Sequence, residues 1–375
     1  MSASDSRPKA QVTFSTWNVT SAAVIVIAVI WAFYRASPTP VPGLPNYAAA
    51  IGNWRDSSAA PSYEHLRENL VWQWLFEISS GISFSSYLIQ WITLSVATVV
   101  VLAFLYQQAG GQGKRALSVR LAILSPIVAL FFGFFGSYDP VTTLLSLIML
   151  VGWVKQEPRL VALGGILLGL QHFGQSIPMM IALGLTWSAL HESRLTRKSL
   201  KLIVVGLVAA GFGKLLALLI LLVSSSTMEG NRIPEDGLGS PLRDALVTSI
   251  NFLPALVFSF LSGAWLIVAL VYWQGSKHRR LMLAVAGLVC AVPSFLLLDQ
   301  TRVFIILSFP SLALITMHML RDQAVSLRQL RAVETLAWVC VPLFIWTTST
   351  GAGRLQHVGA LDVQIMSLQE LLSWF

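Results

Sequence analysis

The sequence predicts an all-α fold, a polytopic transmembrane helical bundle of about 11 spans, and three observations predict it. Of the 375 residues, 55% are hydrophobic and only 11% charged, whereas a soluble domain carries about a quarter charged residues. Apolar runs recur along the chain at roughly the 20 residues a helix needs to cross a hydrocarbon core, and the period-2 alternation of a membrane barrel is missing. Finally, the basic residues fall in short turns at regular intervals, as they do when Lys and Arg resist translocation and collect on the cytoplasmic face. That spacing also argues against the nucleic-acid partner that a net charge of +8 would otherwise suggest.

The chain reads in order as follows. Residues 1–16 are a polar cytoplasmic tail holding Arg7 and Lys9. The apolar run from Trp17 has no clean small-residue cleavage site after it and is expected to be an uncleaved first span. With the N-terminus inside, spans are expected at 17–35, 84–107, 119–136 and 140–154, then a broken pair at 160–172 and 176–190, then 200–224, 250–273, 281–298, 303–319 and 332–348. The turns around Lys114, Lys155, Arg197, Arg279 and Arg328 then lie inside, and most carboxylates lie outside. The transmembrane domain is thus 17–348 in a plasma (inner) membrane, followed by an outside amphipathic tail, 349–375.

The outside loop 36–83 opens with Pro38, Pro40, Pro42 and Pro45, which favour extended chain, and continues with two short interfacial helices, Asn46 to Trp54 and Pro61 to Glu77. Trp54, Trp72 and Trp74 suit headgroup depth. A second outside loop spans 225–246 and contains Arg232. Cys290 and Cys340 lie in apolar runs and read as small hydrophobes.

Polar groups at membrane depth are expensive, about 2.5 to 3.5 kcal/mol for a charge at a helix centre, so they persist with a partner or a task. Asp139, just before Pro140 in the turn Gly136-Ser137-Tyr138-Asp139, is either a helix cap or a site carboxylate. The broken pair carries Gln171-His172-Phe173-Gly174-Gln175 at its tip. Two half-spans of this length reach only about 20 Å, so the tip should stop within the outer leaflet, where irregular backbone needs a cavity or protein around it. In Asp299-Gln300-Thr301-Arg302 the acid and the base either pair with each other or present a guanidinium to a phosphate at headgroup level. Lys214 sits too deep in its span to snorkel easily and is expected to have a buried partner or a ligand phosphate. Asp56 is the best placed acid of the first loop. The sequence has no dinucleotide or Walker loop, no His-Glu-x-x-His and no zinc-spaced Cys pair, so neither a cofactor nor a resident metal is indicated, and energy from ATP is not expected.

Residues 136–190 resemble the GT-C class of polytopic membrane glycosyltransferases. There an outside loop with an acidic residue precedes a span, a short basic turn, a Gly-rich half-span ending in a polar residue, and a return half-span. The matching positions here are Ser137-Tyr138-Asp139, Lys155 to Arg159, Gly164 to Gly169, and Gln171-His172, with His172 where the family often has Lys. The long loop 36–83 is similar to the family's juxtamembrane segment, although the acid pair that commonly follows the first span is replaced by prolines.

The resemblance implies transfer of a sugar from a polyprenyl-phosphate-linked donor to a glycan or lipid acceptor on the non-cytoplasmic face, in cell-envelope glycan assembly. It implies Asp139 or Asp56 as the base, and Arg302, His172, Gln175, Lys214, Arg232 and Asp299 as phosphate or sugar ligands. Two other classes remain open: a transporter or flippase for a lipid-linked or small anionic substrate, and a non-catalytic subunit of a polysaccharide assembly complex. The long outer loop with interfacial helices weighs against the transporter.

Overall fold

A computed structural model describes residues 19–36, 44–52, 69–80, 83–192, 194–223, 239–297, 299–322, 325–340, 344–347 and 355–358. The Gln300–Arg321 helix, α14 in chain order, is the axis of the bundle, and nearly all of its residues are buried. At 1.5 Å per residue its 22 residues span about 33 Å, enough to cross a hydrocarbon core. A helix apolar on every side belongs inside protein or lipid, and here protein takes it.

Before it in the chain come α1 (Val19–Ala36), α2 (Leu44–Gly52), α3 (Leu70–Ser80), α4 (Phe84–Gly110), α5 (Arg115–Ile123), α6 (Pro126–Gly133), α7 (Asp139–Lys155), α8 (Pro158–His191), α9 (Arg197–Val223), α10 (Gly239–Asn251), α11 (Leu253–Leu261), α12 (Trp265–Trp273) and α13 (Lys277–Leu296). After it come α15 (Leu327–Val339) and a two-stranded antiparallel pair, β1 (Phe344–Thr347) and β2 (Leu355–Val358). Among the described residues seven segments are long and apolar enough to cross a membrane: α4, α5 with α6, α8, α9, α11 with α12, α13 and α14. The chain is therefore a multi-pass, all-α membrane bundle, with a small strand pair near its end.

The lipid-facing surfaces are visible in the exposure pattern. Ile89, Ile92, Val96, Val100 and Phe104 on α4, and Val204, Val208, Phe212, Leu215 and Leu219 on α9, are exposed at helical spacing. Apolar stripes this large are not tolerated in water and are the expected contact with acyl chains.

The two ends of the bundle differ in charge. Lys114 Nζ donates to the Leu320 carbonyl (2.7 Å), and Arg279 Nε to the Ala189 carbonyl (3.0 Å). Trp187 lies between Trp153, at a ring distance of 6.4 Å, and a stacked His191, and His191 in turn meets the His318 ring edge-on at 5.9 Å. The basic turns around Lys114, Lys155, Arg197 and Arg279 thus gather at one end with the C-terminal turn of α14. The opposite end holds Gly136, Asp139 and the first turn of α14, and Trp72 of α3 is found there, beside the Tyr87 that bonds Gly136.

The α8 segment has 34 residues, and its backbone is extended at His172 (φ −160°, ψ 79°). As a straight rod it would be about 51 Å long, yet both arms meet the same neighbours. A Cβ at Gly165 would stand 2.7 Å from the Gly206 carbonyl, and Met180 also packs onto Gly206. Likewise Val161 lies against Gly152 while Gly184 lies against Trp153. The chain therefore turns back at His172, which puts Gln171 to Ser176 at the Asp139 end and both Pro158 and His191 at the basic end. Contacts between α8 and α9 are close because they are made through small residues: a Cβ at Gly169 would collide with the Ala210 carbonyl, and one at Gly213 with that of Ile166.

Two expectations need correction. A span over 332–348 does not form as one helix: α15 stops at Val339, and Phe344–Thr347 is a strand paired with Leu355–Val358. Arg328, Arg331 and Glu334 make α15 amphipathic, and Arg120 pairs with Glu334 across to α5, so the segment is too polar for a lipid-facing helix. Trp72 is not at a headgroup surface but fully buried, with its ring edge on Tyr87 at 5.3 Å; a helix packed on a membrane bundle hides one aromatic face in protein. The stretch 361–374, expected to be amphipathic, lies outside the described residues.

Leucine at Gly169 should overpack the α8 to α9 contact and cost about 1 to 3 kcal/mol, lowering the thermal unfolding midpoint in detergent. Alanine at Gly174, where a Cβ meets nothing within 4 Å, should leave the midpoint where it is. Equal midpoints for both variants would contradict the close packing.

Candidate functional site

The site is assembled from three chain segments at the end opposite the basic turns. The first is the turn before α7. Gly136 has φ +88°, a conformation that side chains beyond glycine rarely adopt, and its carbonyl accepts from the Tyr87 hydroxyl of α4. That turn sets Ser137, Tyr138 and Asp139 inward, and Pro140 then starts the helix where its missing N–H costs nothing. The second segment is the start of α14, with Asp299 before it and Arg302 in its first turn. The third is the turned tip of α8.

Asp139 is fully buried, and both of its oxygens are engaged. Arg302 Nε donates to Oδ2 at 2.8 Å and Arg302 Nη2 to Oδ1 at 2.9 Å, a bidentate pair, while the Ser137 hydroxyl donates to Oδ2 at 2.8 Å. The remaining Arg302 nitrogen, Nη1, donates to Asp299 Oδ2 at 2.8 Å. The guanidinium also lies 5.2 Å from the Tyr138 ring centroid and 5.3 Å from that of Phe134, a setting that favours Arg over Lys. One cation thus stands between two carboxylates. Burial pushes the Asp299 carboxyl up from its ordinary range, Arg302 opposes that, and the Asp139 charge adds to the rise.

The cap reading of Asp139 does not hold. The residue before the helix is Tyr138, which makes no side-chain cap, and the Asp139 carboxylate bonds to Arg302 and Ser137 instead. The local pairing expected between Asp299 and Arg302 is present, but it is only half of what Arg302 does.

His172 is brought to the same place: its ring lies 5.9 Å from that of Tyr138. Gln171 is fully buried and its Oε1 accepts from the backbone N–H of Trp72 at 2.9 Å, which ties α3 to the tip. Gln175 is buried as well. Lys214 is half-buried on α9, one turn before Ala217, which packs with Leu170 of the tip and Leu70 of α3. Asp56 and Arg232 lie outside the described residues. Among the described residues no group of three His, Cys, Asp or Glu is arranged as a metal site.

Several residues of the site were not singled out in the sequence. Tyr87 and Phe134 sit in apolar runs where nothing marks them as different from core residues. Thr142 alone carries a signal, one helical turn after Asp139 on the same face.

No family model matches the chain, and neither a curated protein nor a solved structure matches it.

Removing Arg302 should be more damaging than removing the Asp139 charge, because it strands two carboxylates, one of them wholly buried. Arg302→Met should cost about 3 to 5 kcal/mol of stability, as when a buried pair loses one partner. Asp139→Asn should cost less, since Arg302 keeps Asp299, and the double variant should recover part of the Arg302→Met loss. Thermal unfolding of the three proteins in nanodiscs reads this order directly, and additive losses would contradict a coupled pair.

Proposed function

We propose that the protein is an integral membrane glycosyltransferase of GT-C type, moving a sugar from a polyprenyl-phosphate-linked donor to a glycan or lipid acceptor at the non-cytoplasmic face. One observation carries the reading: a guanidinium shared between two carboxylates, at the bundle end remote from the basic turns, beside an irregular turn rich in buried amides. The positive-inside rule makes the basic end cytoplasmic, so the site stands at the outer-leaflet end, and α8 serves as a re-entrant hairpin with its tip in that leaflet. A carboxylate and a cation at headgroup depth are what transfer from a lipid phosphate requires.

In this reading the donor phosphate competes with Asp139 for Arg302. A phosphate takes the same bidentate geometry as a carboxylate, so its arrival draws Arg302 off Asp139. The freed carboxylate accepts the proton of an acceptor hydroxyl, the hydroxyl oxygen bonds to the anomeric carbon, and the bond from that carbon to the phosphate oxygen breaks. Polyprenyl phosphate leaves with its charge matched by Arg302, and no acid is needed on the leaving side. His172 and Lys214 border the same region as secondary phosphate or sugar ligands. Asp56 and Arg232 complete the assignment, Asp56 as the alternative base and Arg232 as a phosphate contact from the outer loop.

Transfer of labelled sugar from polyprenyl-phosphate donors by protein in nanodiscs tests the reading. Asp139→Asn should lower turnover by about two orders of magnitude or more, the range for loss of a general base, while Arg302→Lys should chiefly raise the donor KM by losing the bidentate fork. Absence of transfer by the native chain with every hexose and pentose donor, or full turnover in Asp139→Asn, would overturn the assignment. Orientation has its own check. In a chain lacking Cys290 and Cys340, a single cysteine at exposed Ser85 should react with an impermeant maleimide from outside whole cells, and one at exposed Lys277 should not; the reverse pattern would remove the site from the outer face.

A further inference from the structure

The turned tip of α8 carries more hydrogen-bonding capacity than its protein neighbours use. Gln175 is 7% exposed, and its Oε1 is buried with no partner among the described residues. Gln171, fully buried, spends Oε1 on the Trp72 N–H and leaves Nε2 buried without a partner. Thr142, also fully buried, has an unpartnered hydroxyl. Buried polar groups are nearly always satisfied, and each exception needs a physical reason.

The three are neighbours in depth. Tyr138 and His172 face each other with ring centroids 5.9 Å apart. From that level Thr142 lies one turn into the bundle along α7, and Gln175 about one turn along the returning arm of α8. Gln171 immediately precedes His172. All of these groups are neutral, and together they supply amide donors, an amide acceptor and a hydroxyl that does both. Such a set suits an uncharged ligand with several hydroxyls and is unsuited to a second phosphate, which would need a cation. Arg302 stacks on Tyr138 at the rim of this layer.

We infer that the tip of α8 and the first turns of α7 form a subsite for the hydroxyls of a neutral sugar ring, with Gln175, Gln171 and Thr142 as its ligands and Arg302 beside it for the phosphate. The inference rests on the glycosyl-transfer reading and adds to it the residues that select the sugar. Gln175 is the most informative of the three, because its amide has no described protein hydrogen bond to lose. A leucine there removes an unpaired buried polar group, so it should not weaken the fold. A residue kept only for packing would behave differently.

The test is equilibrium binding to protein in nanodiscs with two kinds of probe: bare undecaprenyl phosphate, and undecaprenyl phosphate carrying glucose, mannose or arabinose. The native chain should bind at least one sugar-bearing lipid about tenfold or more tightly than the bare lipid, the size of one good buried hydrogen bond. Gln175→Leu should erase that preference, leave affinity for the bare lipid unchanged, and unfold at the native temperature or above. Thr142→Val, which keeps the side-chain shape, should reduce the preference in the same way. Retention of the full preference in both variants, or a native chain that binds every sugar-bearing lipid no better than the bare one, would overturn the subsite. A native chain that binds neither kind of lipid would instead overturn the glycosyl-transfer reading beneath it.

Discussion

The bidentate pair between Arg302 and Asp139 joins the first turn of the central helix to the turn that starts α7, and much of the Asp139 end depends on it. A fully buried carboxylate is tolerable only with its oxygens satisfied, and a guanidinium near the edge of a membrane bundle only with its fork engaged. Each therefore fixes the other, and the rings of Tyr138 and Phe134 fix the plane in which they meet. Because Arg302 holds Asp299 as well, the cation is balanced by two acids, one enclosed and one half-exposed. An anion approaching from outside would find the guanidinium already committed, but to a partner whose geometry it can imitate.

The packing that delivers these groups is made by small residues rather than by large ones. Gly165, Gly169 and Gly213 let α8 and α9 approach until backbone meets backbone, which is how helices associate where lipid removes the hydrophobic drive. The same economy at Gly206 admits Met180 from the returning arm. With both arms of α8 held on α9 and on the Trp153 end of α7, the extended residue at His172 is left at the opposite end, beside Tyr138. A break in the helix frees backbone groups, and the residues on either side of it, Gln171 and Gln175, are buried in protein.

Much of this was legible in the residues themselves. Long apolar runs bounded by Lys and Arg marked the spans, and the bundle does gather those basic turns at one end. The cluster Gln171, His172, Gln175, interrupted by Gly174, marked an irregular stretch inside an apolar run, and Asp139 and Arg302 stood out as charges beside spans. Less was legible where polarity and apolarity mix. The stretch 332–348 carries enough apolar residues to look like a span, but Glu334, with Arg328 and Arg331 just before the stretch, gives α15 a polar face, and the helix ends at Val339. Trp72 looked like a headgroup anchor because tryptophans often are, yet the side chain faces Tyr87 inside the bundle.

The sequence by itself determined that the chain spans a membrane many times, which turns share an end, and which few charges have to be explained, because hydrophobic length and charge placement are local properties with a direct energetic meaning in a bilayer. It left open whether Asp139 capped a helix or served a site, and whether Arg302 paired with Asp299 or faced a phosphate. Tertiary structure decided the partners of both, by bringing residues 139 and 302 together across 163 positions of chain. Pairing of that kind depends on how helices pack, and no local pattern records it.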